Sequence, residues 1–140
     1  MERVDLVIKS VVAIFAGIVS ALTGLFGIIF TVLLGLMALD IITGLLAAIV
    51  TKEGWRSRKG TNGLIRKCYV ILLIGSIFIV EIALGKTNGI VTDSISAAYA
   101  FMELVSIVEN GGKMNAPIPK KLKEWITTLK EAVGEGDSSE

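Results

Sequence analysis

Apolar residues run almost without interruption from Val11 to Val50, VVAIFAGIVSALTGLFGIIFTVLLGLMALDIITGLLAAIV, forty residues with one ionisable side chain, Asp40. A spanning helix needs roughly 20 apolar residues to cross a hydrocarbon core about 30 Å thick. The stretch is therefore long enough for two crossings and too long for one. A soluble domain of this size has no core that could hide it, so its natural solvent is lipid. The run must fold back, and Thr23-Gly-Leu-Phe-Gly27 is the place where two glycines lower the cost of a tight turn. The pattern predicts helices over about 6–23 and 28–50. A further apolar run from Cys68 to Leu84, interrupted by Glu81, is just long enough to span, and Gly85-Lys-Thr-Asn-Gly89 reads as a turn. In the first helix Ala13, Gly17 and Ala21 recur every fourth residue, a spacing that lets helix backbones approach closely in lipid.

The stretch from Ile90 to Val108 has a different pattern. Tyr99, Glu103, Ser106 and Asn110 share one helical face, while Ile95, Ala98, Met102 and Val105 make another. Such an amphipathic helix either spans with its polar face against protein or water, or lies in the interface. Asn115-Ala-Pro-Ile-Pro119 breaks the chain. Lys120 to Val133 then places Leu122, Ile126, Leu129 and Val133 on one side, with Lys120, Lys121 and Lys123 at its start and Trp125 close by. That suits a helix on the membrane surface or one packed on its own oligomer. The final residues, Gly134–Glu140, read as a disordered tail. The expected fold is all-α: membrane helical hairpins with four membrane segments, or three, forming a membrane domain over residues 1–110. A cytoplasmic amphipathic helix and tail follow over 111–140.

Charge sets the orientation. The stretch TKEGWRSRKGTNGLIRK holds Lys52, Arg56, Arg58, Lys59, Arg66 and Lys67 against the single acid Glu53, and the positive-inside rule places it in the cytoplasm. Trp55 suits an interfacial anchor there, and Lys9 can snorkel to a headgroup. Four crossings put this loop and the basic tail on the cytoplasmic side and the short, nearly uncharged turns outside; three would put the N-terminus outside. The mixed charges Glu2, Arg3 and Asp5 do not make a cleaved signal, so the first apolar segment is expected to stay in the mature protein. Over the whole chain the net charge is only +1, with 53% hydrophobic residues and a mean hydropathy of +0.74, which points to no nucleic-acid partner. One cysteine, Cys68, makes no internal disulfide or metal site, and the lack of histidine removes histidine-based catalysis. The glycines of Lys59-Gly-Thr-Asn-Gly63 do not fit a phosphate loop, and no nucleophile–base pattern exists, so no enzyme, cofactor or metal is expected.

What remains is acid inside apolar segments. A central Asp costs about 2.5–3.5 kcal/mol on insertion scales, and such residues usually face a bundle interior or a water-filled path. Asp40 shares a face with Thr43 and Ala47, and Glu81 and Glu103 extend the theme. With basic residues only at the segment ends, the pattern predicts acid-lined polar faces rather than internal ion pairs. A bland reading stands beside it: Asp40 lies near a re-entrant turn and Glu81 marks the far interface. Candidate pore-lining or subunit-contact residues are Asp40, Thr43, Gly44, Glu81, Tyr99, Glu103, Ser106 and Asn110. Candidate membrane-surface and topology residues are Arg56, Arg58, Lys59, Arg66, Lys67, Lys120, Lys121, Lys123 and Trp125.

Several short motifs occur in a telling order. They are Asp40-Ile-Ile-Thr43-Gly44 late in an apolar helix, Ser57-Arg-Lys59-Gly60 and Gly63-Leu-Ile-Arg-Lys67 in the basic stretch, Glu103-Leu-Val-Ser106-Ile-Val-Glu109-Asn110, and Pro117-Ile-Pro119 before the amphipathic tail. Over about Leu36 to Leu129 this combination resembles the toxin-secretion/phage-lysis holin family, while the first helix matches only in being apolar. The resemblance implies a phage-encoded protein of the host cytoplasmic membrane that forms oligomeric lesions at a programmed time. Through these an endolysin reaches the peptidoglycan, or a toxin leaves the cell, as cargo that need not bind. It also implies no catalytic site and no cofactor. The rival readings are a small multi-pass ion channel subunit and a non-pore scaffold or antiholin.

Overall fold

The computed structural model describes residues 2–52, 57–86 and 88–135, with the backbone alone described at Glu2, 57–60 and 133–135. These form α1 (Glu2–Phe26), α2 (Ile28–Val50), α3 (Ser57–Ala83), α4 (Ile90–Lys113) and α5 (Lys120–Glu135). The all-α expectation holds, and α1 to α4 are each long and apolar enough to cross a membrane. In lipid every backbone group must find its partner within the segment, so helices persist as far as the chain allows and breaks are short. The break between α1 and α2 is the single residue Gly27, and α1 runs three residues past the expected end of the first helix. Its φ of 89° and ψ of 167° lie in a region essentially confined to glycine. Across this corner the Thr23 hydroxyl donates to Thr31 Oγ1 at 3.1 Å, and the Phe26 ring lies 4.8 Å from Phe30 and 4.9 Å from Phe78. Away from the corner α1 is free of the rest: residues 3–18, Ala13 and Gly17 included, are all exposed.

The other three crossings pack together, and α2 with α4 is the main pairing. A Cβ built on Gly27 would lie 3.4 Å from Asp93, and one on Gly44 would lie 3.5 Å from Asn110. The same order at the same spacing on both helices means that α2 and α4 run parallel and in register. The α2 seam is Phe30, Leu33, Met37, Asp40, Gly44 and Ala47, alternating three and four residues apart as in a supercoiled pair. Its large end, Phe30, Leu33 and Met37, forms the buried core with Ile74 of α3. Facing it, α4 offers the small buried residues Thr92 and Ser96, then Tyr99. The sizes reverse at the other end, where Gly44 and Ala47 leave room for Asn110.

The turns after α3 and after α4 both close with a left-handed residue. After α3, Gly85 (φ 70°) donates its N–H to the Ile82 carbonyl and Lys86 donates to that of Glu81. After α4, Asn115 (φ 55°) and Ala116 donate to Gly112 and Gly111 in the same pattern, and Ile118 packs on Gly111. Beyond Pro119, α5 folds back on α4. Ile126 is buried, the Trp125 ring meets Phe101 edge-on at 6.1 Å, and Lys130 pairs with Glu109 at 2.9 Å. Helix α5 includes Gly134 and Glu135, while 136–140, the rest of the expected tail, lie outside the described residues.

Candidate functional site

Three helices bring charge to one level. Asp40 lies ten residues before the end of α2, Glu103 ten before the end of α4, and Lys67 ten after the start of α3. At 1.5 Å per residue each is about 15 Å from its helix end. The Lys67 ammonium lies 3.1 Å from Asp40 Oδ2 and also pairs with Glu103 Oε2, and all three side chains are only 13–15% exposed. The Asn110 amide, from α4, donates to Asp40 Oδ1 at 3.0 Å and to Thr43 Oγ1 at 3.2 Å. Thr43 donates in turn to its own helix at the Asp40 carbonyl, and Lys113 donates to Asn110 Oδ1 at 3.5 Å. The outcome is one connected network, Asp40–Thr43–Lys67–Glu103–Asn110, tying α2, α3 and α4 together.

This corrects the expectation of acid-lined faces without internal ion pairs. Hydropathy starts the third segment at Cys68, but α3 starts at Ser57, so the second half of the basic stretch is helix and Lys67 is carried by it. Lys67 is in phase with Ile71, Ile74, Phe78 and Glu81, all of them turned inward. That same spacing was the signal in the sequence: a lysine and a glutamate on one three-and-four seam with apolar residues between them. Two carboxylates on facing parallel helices repel each other, and the ammonium from the third helix offsets that repulsion. Removing one partner of a buried ion pair typically costs about 3–5 kcal/mol, because the other charge is left uncompensated.

Glu81 belongs to a second cluster at the other end of α3. Its carboxylate accepts the N–H groups of Val91 and Thr92, each at 3.0 Å, and the Thr92 hydroxyl. The first N–H groups of a helix have no partner within it and carry partial positive charge, so a carboxylate placed there both satisfies donors and complements the helix dipole. Glu81 is 4% exposed and binds α3 to the start of α4.

Among the other sequence candidates, Tyr99 packs against the apolar core and Ser106 is half-buried on the α4 seam. Gly44 is where Asn110 approaches α2. Arg66, Lys120, Lys121 and Lys123 are exposed, and Trp125 is half-exposed above Phe101. Trp55 and Arg56 lie outside the described residues, and Arg58 and Lys59 fall in the first turn of α3, where only the backbone is described. The sequence reading missed Lys67 as an internal cation, and it missed Thr92 and Ser96 as inward-facing members of the α4 seam.

The model of the bacteriophage holin family matches residues 17–131, a span that takes in every residue of both clusters. The chain belongs to the bacteriophage holin family. Holins are non-enzymatic pore-forming proteins, and with its four apolar helices the chain is a multi-pass inner-membrane protein of that family. It is 37% identical over 131 residues to an uncharacterised protein of Halalkalibacterium halodurans, covering 90% of this chain and 96% of that one. It is 28% identical over 133 residues to an uncharacterised protein of Listeria monocytogenes, covering 95% and 94% of the two chains. A third uncharacterised protein, from Listeria innocua, is 28% identical over 122 residues, 87% of this chain and 86% of its own. No solved structure matches the chain.

Proposed function

We propose that this protein oligomerises in the host cytoplasmic membrane and opens lesions that release an endolysin, or a toxin, for lysis of the host cell. Its membership of the holin family carries the reading, and the polar seam between α2 and α4 supplies a physical means. Polar side chains in lipid must face protein or water. In a single copy, Asp40, Thr43, Glu103 and Asn110 face one another. In a ring of copies the same surfaces can meet sister subunits and water. The basic stretch from Thr51 into the first turns of α3 and the C-terminus lie on the cytoplasmic side, by the positive-inside rule, and Lys120, Lys121 and Lys123 on α5 then face the anionic leaflet.

The test is induced expression in a bacterium with and without a cytoplasmic endolysin lacking a signal. The expected result is a delay, then abrupt loss of membrane potential, with lysis only when the endolysin is present. No lysis with stable accumulation in the membrane would overturn the reading. A slow ion leak with the endolysin retained would place the protein among channels, and harmless expression that delays another holin would place it among antiholins.

A further inference from the structure

We infer that Lys67 is the latch of the membrane domain: α3 holds the polar faces of α2 and α4 closed through one ammonium, and release of that ammonium sets when the faces part. This rests on the lesion-forming reading above and adds to it the residue that controls the timing. The seam between α2 and α4 has two unlike halves. Toward the α2 N-terminus it is apolar, with Phe30, Leu33 and Met37 packed against Ile74 of α3. There Glu81 also ties α3 to α4. Toward the α2 C-terminus the core gives way to Asp40, Gly44 and Ala47 facing Glu103 and Asn110, with no large apolar side chain on the α2 side. Cohesion of that half depends on charge.

The sign of the charge identifies the controlling element. Both helices of the pair bring an acid to the seam and neither brings a neutralising base. Among the described residues, Lys67 is the one cation within ion-pair distance of Asp40 or Glu103. Lys113 reaches only the Asn110 amide oxygen, and Lys130 is engaged with Glu109 outside the seam. If Lys67 moves away, two carboxylates are left facing each other at low dielectric; the Asn110 amide reaches only that of Asp40, and the Thr43 hydroxyl is engaged with the Asp40 backbone carbonyl. Parting of the helices, with entry of water, relieves this. The apolar half acts as the hinge, so the seam opens from the end that carries the α2 C-terminus.

The test uses the full chain at matched membrane levels with a co-expressed endolysin. Time to loss of membrane potential is recorded for the wild type, Lys67→Gln, and the exchange pair Glu103→Lys/Lys67→Glu, which keeps one cation between two acids and leaves the Asn110–Asp40 contact in place. A second readout is the labelling of Ser106→Cys, in a Cys68→Ala background, by a water-soluble maleimide in inside-out vesicles prepared before the potential falls. Interhelical polar contacts in membranes tune equilibria by factors of about three to ten. The expected result is that Lys67→Gln shortens the delay about threefold or more and raises labelling similarly. The exchange pair should return both to within about twofold of wild type on the same scale. Wild-type timing and labelling in Lys67→Gln would overturn the latch while leaving the holin reading intact, whereas a wild type that never triggers would overturn the holin reading itself. If Lys67→Gln fails to accumulate, the exchange pair decides. Accumulation with wild-type timing supports the latch, and failure to accumulate or altered timing overturns it.

Discussion

Replacing Asn110 with leucine removes the amide's donors and acceptor while keeping the same number and branching of side-chain heavy atoms, and the new side chain is apolar in lipid. Asn110 is 8% exposed, and its amide makes two contacts with α2, one to a carboxylate and one to a hydroxyl. A hydrogen bond to a charged group contributes about 1.5–3 kcal/mol in soluble proteins. Between helices in a membrane the average is nearer about 0.6, with a maximum of about 1.7, because the unpacked helices also find partners. The Asp40 contact belongs at the upper end of the membrane range and the Thr43 contact at or below its mean. Together they predict a loss of about 1–2 kcal/mol for Asn110→Leu, a factor of about 5–30 in the folding equilibrium. The assay is reversible unfolding in mixed micelles by sodium dodecyl sulfate, followed by circular dichroism. Thr43→Val should cost about 0.6 kcal/mol or less. The cycle of Asn110→Leu with Asp40→Ala should show about 1 kcal/mol of coupling. If the two changes add to within about 0.3 kcal/mol, the amide does not bind Asp40 as described and the polar seam loses its central contact.

Three other perturbations separate the remaining parts of the structure. Gly27→Ala places a side chain in a backbone conformation that only glycine holds easily, with its Cβ 3.4 Å from Asp93, and should destabilise by about 1–3 kcal/mol in the same titration. Glu81→Ala should raise amide hydrogen exchange at Val91 and Thr92, with Glu81→Gln in between because it keeps one acceptor; equal protection in all three would remove the link between α3 and α4. Phe101→Leu takes away the edge-on partner of Trp125, worth about 0.5–1.5 kcal/mol, and should speed proteolysis between Asn115 and Pro119 as α5 detaches.

The apolar pattern made most of the fold legible. The span of α2, the start of α4 at Ile90 and the start of α5 at Lys120 can be read directly, because Gly27, Gly89 and Pro119 stand immediately before the three starts and the apolar run of α2 stops at Thr51-Lys52. The errors of extent, at the end of α1, at the start of α3 and at the end of α4 (Lys113 rather than Val108), have one cause. Hydropathy reports where lipid begins, whereas a helix continues while its backbone bonds can be made. Thus α1 passes through Gly24 to Phe26, and α3 begins among charged residues at Ser57. The second error hid the site. Lys67 looked like a loop charge that sets topology, although its spacing to Ile71, Ile74, Phe78 and Glu81 already placed it on the inward seam. The polar face of α4 was visible at Tyr99, Glu103, Ser106 and Asn110, but its partner was not: four alternating crossings make α2 and α4 run the same way, yet nothing in a single sequence says that they pack together. The freedom of most of α1 was not legible either: its small-residue spacing marks a surface able to pack, and in one copy of the chain that surface is exposed, with none of the described residues covering it.

The central claim is that this membrane domain parts to let a folded protein through, and passage of a folded protein measures it most directly. Cells would express the chain together with cytoplasmic endolysin fused to one, two or three copies of a fluorescent protein, and peptidoglycan cleavage would be timed against the fall in membrane potential. Cleavage by the single fusion is expected to begin abruptly with that fall, after a delay that Lys67→Gln shortens. Loss of potential with every fusion retained, and only ions or dyes crossing, would contradict the claim.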